Sequence, residues 1–107
     1  MISVRFFQRQ GKLSGVTVSG HAGYGEYGRD IVCASVTSAL QLTANGITEI
    51  LKAPCDVRME TNRISLTLDR PGELEGEAVH FLQALQLHLT VLAEDYPNTI
   101  TILVSEV

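Results

Sequence analysis

Apolar and polar positions alternate at both ends of the chain and recur at three-and-four spacing in two long stretches between them. Ile2, Val4 and Phe6 alternate with Ser3, Arg5 and Phe7, the period of two that marks a strand. The turn signal Gln10-Gly11-Lys12 follows. A second strand then carries Val16 and Val18 on one face and Thr17 and Ser19 on the other, so the two strands are expected to pair as a hairpin. The stretch Gly20–Gly28 breaks the pattern with four glycines, at 20, 23, 25 and 28, and reads as a loop. A long helix is expected to begin near Asp30, which suits an N-cap. Its apolar stripe is Val32, Val36, Ala39, Leu40, Thr43, Ile47, Ile50 and Leu51, and Pro54 closes it.

A second hairpin follows. Cys55, Val57 and Met59 are expected on the inward face of one strand, and Ile64, Leu66 and Leu68 on one face of the next, with Thr61-Asn62 as the tight turn. After Pro71-Gly72, a second helix carries Ala78, Leu82, Leu85, Leu89, Leu92 and Tyr96 in its stripe. Glu73, Glu75 and Glu77 stand in or before its first turn, where a helix dipole favours acids. Pro97-Asn98 ends it, and Ile100, Ile102 and Val104 alternate in a last strand. The order is ββαββαβ, which predicts an α+β fold: a two-layer domain of two helices on a five-stranded, mostly antiparallel sheet. With 107 residues the chain has room for one domain, 1–107.

Composition narrows the classes. Hydrophobic residues make up 45% and charged residues 19%, a globular balance rather than a disordered one. The unbroken apolar runs are short, so no membrane-spanning helix is expected, and the N-terminus shows no secretory signal. The two cysteines form no disulfide framework, so a reducing cytoplasm is expected. The net charge is −4, which lacks the basic footprint of a nucleic-acid binder. Residues 1–68 hold 7 basic and 5 acidic groups, whereas residues 69–107 hold 1 and 7. A cationic peptide or a basic protein partner fits that balance better than a polyanion; a solvated acidic helix face is the simpler reading of the balance alone.

Candidate chemistry gathers around the glycine-rich loop. His21 closes a strand at its mouth. If Asp30 caps the helix, Cys33 falls in the first turn, near unsatisfied N–H groups and the positive end of the dipole. Such surroundings favour the thiolate, the nucleophilic form. A thiol with a base in reach is the minimum for a cysteine hydrolase. The plain alternative is a core cysteine in the run Ile31-Val32-Cys33-Ala34. Cys55 reads as structural, and His80 and His88 as surface residues. A metal site lacks a set of three or four ligands. A phosphate cradle lacks its Gly-Lys-Ser/Thr ending and would face Glu26 and Asp30.

The segment from Gly20-His21-Ala22 through Gly28-Arg29-Asp30-Ile31-Val32-Cys33-Ala34 resembles the signature of the ribosomal-processing cysteine proteases, the Prp family. Length and ββαββαβ order agree with that family over the whole chain. The resemblance implies an endopeptidase that removes the short N-terminal extension of a large-subunit ribosomal protein in bacteria such as Firmicutes. It implies Cys33 as nucleophile, His21 as general base and Asp30 as a supporting residue. It also implies a homodimer, and no metal or organic cofactor. Gly20, Gly23, Tyr24, Gly25, Tyr27 and Gly28 are expected to form a loop that gates the peptide. The rival reading is a non-catalytic module that binds a ribosomal protein during assembly.

Overall fold

The computed structural model describes residues 1–20 and 27–107, with only the backbone of 27–30. The order is β1 (Ile2–Arg9), β2 (Lys12–Ser19), α1 (Tyr27–Asn45), β3 (Cys55–Glu60), β4 (Arg63–Leu68), α2 (Glu75–Asp95) and β5 (Ile100–Glu106). The strands form a single sheet in the order β3-β4-β2-β1-β5. All neighbours are antiparallel except β1 and β5, which run parallel from Ile2↔Ile100 to Gln8↔Glu106. Joining β4 to β5 through α2 carries the chain across the sheet, the crossover that parallel pairing requires. This is the two-layer α+β arrangement expected from the pattern.

The local chemistry explains the turns. Gln10 and Gly11 both take positive φ, 54° and 79°, the conformation of a two-residue hairpin turn matched to strand twist. Opposite the irregularity between Phe7 and Gln8 stands Gly15, where a Cβ would lie 2.7 Å from the Leu66 carbonyl oxygen. Only glycine lets β2 approach β4 that closely.

One sheet face and one stripe of each helix make the core. Ile2, Val4, Phe6, Val16 and Leu66 from the sheet meet Val32, Val36, Leu40 and Ile47 from the first helical segment. Ala78, Leu82, Leu85 and Leu89 from α2 complete it. Thr43 is buried there too and returns its hydroxyl to the Ala39 carbonyl at 2.9 Å.

Four expectations need correcting. First, α1 continues into a π-turn over Gly46–Ile50, with the Leu51 N–H donating to the Gly46 carbonyl at 2.8 Å. The wider turn takes Ile50 off the stripe while Leu51, just after it, stays packed against the core. Ile47 is fully buried, but Ile50 is 79% exposed. Second, Tyr96 lies just beyond α2 as its C-cap and is exposed rather than on the stripe. Third, Val57 and Met59 share a sheet face with the core strands yet stay 38% and 65% exposed, because β3 is an edge strand. Fourth, Ile31–Ile50, 20 residues of mean hydropathy 1.2, is long and apolar enough to cross a membrane by length and composition alone. Short unbroken runs concealed this because small polar residues interrupt them. Its Val32, Val36, Leu40 and Ile47 are buried against the sheet, as in a core helix.

Candidate active site

Cys33 is the seventh residue of α1 and is half-buried. It borders a cavity of about 210 Å³ where four strands end. Ile2 comes from the start of β1, Val18 and Ser19 from the end of β2, Met59 and Glu60 from the end of β3, and Ile64 from the start of β4. Val36 and Thr37, from the next turn of α1, close the helix side. Alternation along each strand explains this convergence. Register pairs Val4 with Val18, Val18 with Ile64 and Ile64 with Met59, so all four point to the helix-covered face.

The sequence places His21 two positions after Ser19, a lining residue of this cavity. His21, Gly23, Tyr24 and Gly25 themselves lie outside the described residues. Gly20 is described: its φ is +64°, and its N–H donates to the Asn62 carbonyl at 3.3 Å. The exit of β2 is thereby tied to the tip of the β3–β4 hairpin. A Cβ at position 20 would stand 3.2 Å from the Met1 carbonyl oxygen, so both backbone angle and space favour glycine there.

The start of α1 differs from expectation. Tyr27 and Gly28, assigned to the loop by the glycine pattern, begin the helix, and Asp30 is its fourth residue rather than its N-cap. Cys33 therefore lies in the second turn. Its N–H belongs to the helix ladder and is not a donor for an oxyanion, and the benefit of the helix dipole fades beyond the first turn. The helix starts four residues earlier than a cap at Asp30 would have it. An acid at the fourth position is still well placed toward the positive helix end.

Cys55 occupies different surroundings. It opens β3 opposite Leu68, is half-buried, and packs against the core. Burial pushes its thiol up to about 11, and the neighbouring Asp56 carboxylate adds to this, while a hydrogen bond with the Thr67 backbone works against it. Such a thiol stays protonated near neutrality, as a structural cysteine does. His80 and His88 are exposed on α2, as expected.

One feature escaped the sequence reading. A cleft of about 870 Å³ runs between α1 and α2, bordered by Ile31, Leu42, Phe81, Leu85 and His88 and floored by small residues of α1. At its far end Gly46 admits the Phe81 ring, which a Cβ would overlap. The available signal was the run Ala34, Ser35, Ser38 and Ala39 at helical spacing, between apolar Ile31 and Leu42. Of the lining residues, Ile31 is 55% and Leu42 73% exposed.

Comparison with known proteins agrees with this architecture. Residues 1–101 match the family model described as cysteine protease Prp. The ribosomal processing cysteine protease Prp of Staphylococcus aureus is 31% identical over 91 residues, covering 85% of this chain and 86% of the relative. Among solved structures, SMU.848 from Streptococcus mutans superposes with a TM-score of 0.88 at 28% identity, covering 100% of this chain and 96% of that one. The S. aureus protease in complex with a substrate peptide gives 0.87 at 27% identity, covering 97% and 99%. The same enzyme with a covalently linked product peptide gives 0.83 at 28% identity, with the same coverage.

Proposed function

The chain belongs to the cysteine protease Prp family and is a cysteine protease, and from that premise we propose that it removes the N-terminal extension of a large-subunit ribosomal protein. Cys33 is the nucleophile and His21 the general base. His21 takes the Cys33 proton, and the thiolate attacks the scissile carbonyl. His21 then gives the proton to the leaving amine, and water hydrolyses the thioester. Asp30, three positions before Cys33 on α1, supports the site. The reaction draws on no metal or organic cofactor. The glycine-rich segment ahead of α1, with Gly23, Tyr24 and Gly25, is the part of the chain assigned to gate the peptide.

The observation that carries this reading is the cavity at the strand ends, which Cys33 borders and which Ser19, two positions before His21, borders as well. The covalently linked product peptide of the S. aureus relative supports nucleophilic catalysis. The acidic balance of residues 69–107 suits a substrate drawn from a basic ribosomal protein. Such a substrate is made in the cytoplasm, where thiols stay reduced.

The protein works as a homodimer. The apolar cleft between α1 and α2, with Ile31 and Leu42 exposed beside it, is the surface that supports this reading. Light scattering of the parent protein and of Leu42→Glu tests it: the parent should run as a dimer and the variant as a monomer.

The reaction is tested with a peptide spanning the extension and the first mature residues of the ribosomal protein from the same genome. Mass spectrometry should find two products with the parent protein and none with Cys33→Ala. Binding of the peptide without cleavage by the parent would return the non-catalytic assembly module.

A further inference from the structure

The helices cover one face of the sheet and leave the other open, and a groove of about 350 Å³ crosses that open face. Its residues alternate along β1 and β2 with the buried Ile2, Val4, Phe6 and Val16, so Ser3, Arg5 and Thr17 point away from the core. Arg5 and Arg63 are the charged residues of its lining. Register sets Arg5 of β1 beside Thr17 and Arg63 of β4 beside Ser19. The two arginines therefore flank β2 from opposite sides, about 12 Å apart by ordinary strand spacing and rise.

Their neighbours leave both arginines available to a ligand. Among the described residues neither pairs with an acid. Glu60 stands opposite Arg63 in register, but it lines the cavity beside Cys33 and not the groove. Arg5 donates from Nη1 to the Ser105 hydroxyl at 2.6 Å, which leaves the rest of its guanidinium fork free. Ser3, Thr17 and Ser19 add hydroxyls to the groove, while the Thr101 hydroxyl donates to the Met1 sulfur at 2.7 Å. Phe7 and Leu103 make an apolar wall at the Arg5 end, since Leu103 pairs with Arg5 in register.

Donors on both sides of a narrow floor suit a tetrahedral phosphate, whose oxygens point in several directions. A carboxylate, with its oxygens in one plane, is matched by a single guanidinium fork. The volume falls within the roughly 300–1,000 Å³ of small-ligand clefts. We propose that this groove binds a small phosphate ester, with the phosphoryl group between Arg5 and Arg63 and the organic part against Phe7 and Leu103. The groove shares Ser19 and Arg63 with the cavity that Cys33 borders, so the bound ester obstructs an extended peptide and slows cleavage. That consequence rests on the reading of Cys33 as nucleophile; the binding itself does not.

The probe is phenyl phosphate, titrated by calorimetry beside inorganic phosphate and benzoate. The parent should bind phenyl phosphate more tightly than either. Arg5→Gln and Arg63→Gln should each weaken it by about tenfold or more, the scale of a lost charge-assisted hydrogen bond. Both positions are exposed, so circular dichroism should stay unchanged. Added phenyl phosphate should slow peptide cleavage by the parent with an inhibition constant that matches Kd. Arg5→Gln should cleave at the parent rate and resist the inhibition. An affinity unchanged in both variants overturns the site. Benzoate that binds as tightly as phenyl phosphate overturns the phosphate and gives the groove to an acidic side chain. Binding without inhibition overturns the obstruction of the peptide. A parent that binds phenyl phosphate as expected but cleaves no peptide counts against the nucleophile and for the groove.

Discussion

Cys33 and Cys55 are both half-buried thiols on the edge of one core, but their surroundings differ in kind. Cys33 sits on a helix facing the ends of four strands, and a cavity separates it from Met59 and Ile64. Cys55 sits at the start of an edge strand, where packed neighbours and the Asp56 carboxylate hold its proton in place. Fractional burial alone does not distinguish them. Both thiols pack against the core, but Cys33 borders a cavity whereas Cys55 has the Asp56 carboxylate beside it.

Exchanging the two side chains in turn gives the sharpest contrast. Cys33→Ala should lower peptide cleavage by at least about 10³-fold, the scale of losing a nucleophile, with the fold intact by circular dichroism. Cleavage at the parent rate by that variant would move catalysis away from α1. His21→Ala should slow cleavage on the order of 100-fold or more while the peptide still binds, as loss of a general base does. An unchanged rate would leave Cys33 without its base.

A pH titration should separate the thiols next. An acid whose pKa is raised by folding binds its proton more tightly in the native state, so stability declines as pH climbs from the unfolded value, 9.0, toward about 11. Urea unfolding across that window should show the parent losing stability faster than Cys55→Ala. Parallel curves would mean that Cys55 is not held protonated by its surroundings. The smallest effect is expected from Cys55→Ala near neutrality: cleavage retained, with about 1 kcal/mol of stability lost to the cavity left behind. A large loss of activity there would erase the distinction between the two cysteines.

The elements were legible because each obeys one period throughout. Ile2, Val4 and Phe6 alternate and are all buried; Ala78, Leu82, Leu85 and Leu89 recur at helical spacing and are all buried. Gln10-Gly11 and Thr61-Asn62 announced both hairpins. The boundary at Asp30 was misjudged because a single side chain's capping preference was taken to mark the helix start. Val57 and Met59 were misjudged for another reason. Period two tells which face a residue takes, not what lies over it. Helices pack 8–10 Å apart and strands lie about 4.8 Å apart, so two helices cover roughly four strands and leave a fifth at the margin.

The sequence by itself therefore determined the elements, their faces, and the segment that carries His21 and Cys33, since these follow from local periodicity and from residue types at short spacing. Only the tertiary structure decided that β5 pairs parallel with β1, that β3 and β5 are the edge strands, and that Cys33 borders a cavity walled by Met59 and Ile64. Those facts depend on contacts between residues far apart in the chain. Such contacts are set by which surfaces the two helices have enough area to bury, a property of the whole assembly that no local window of the sequence contains.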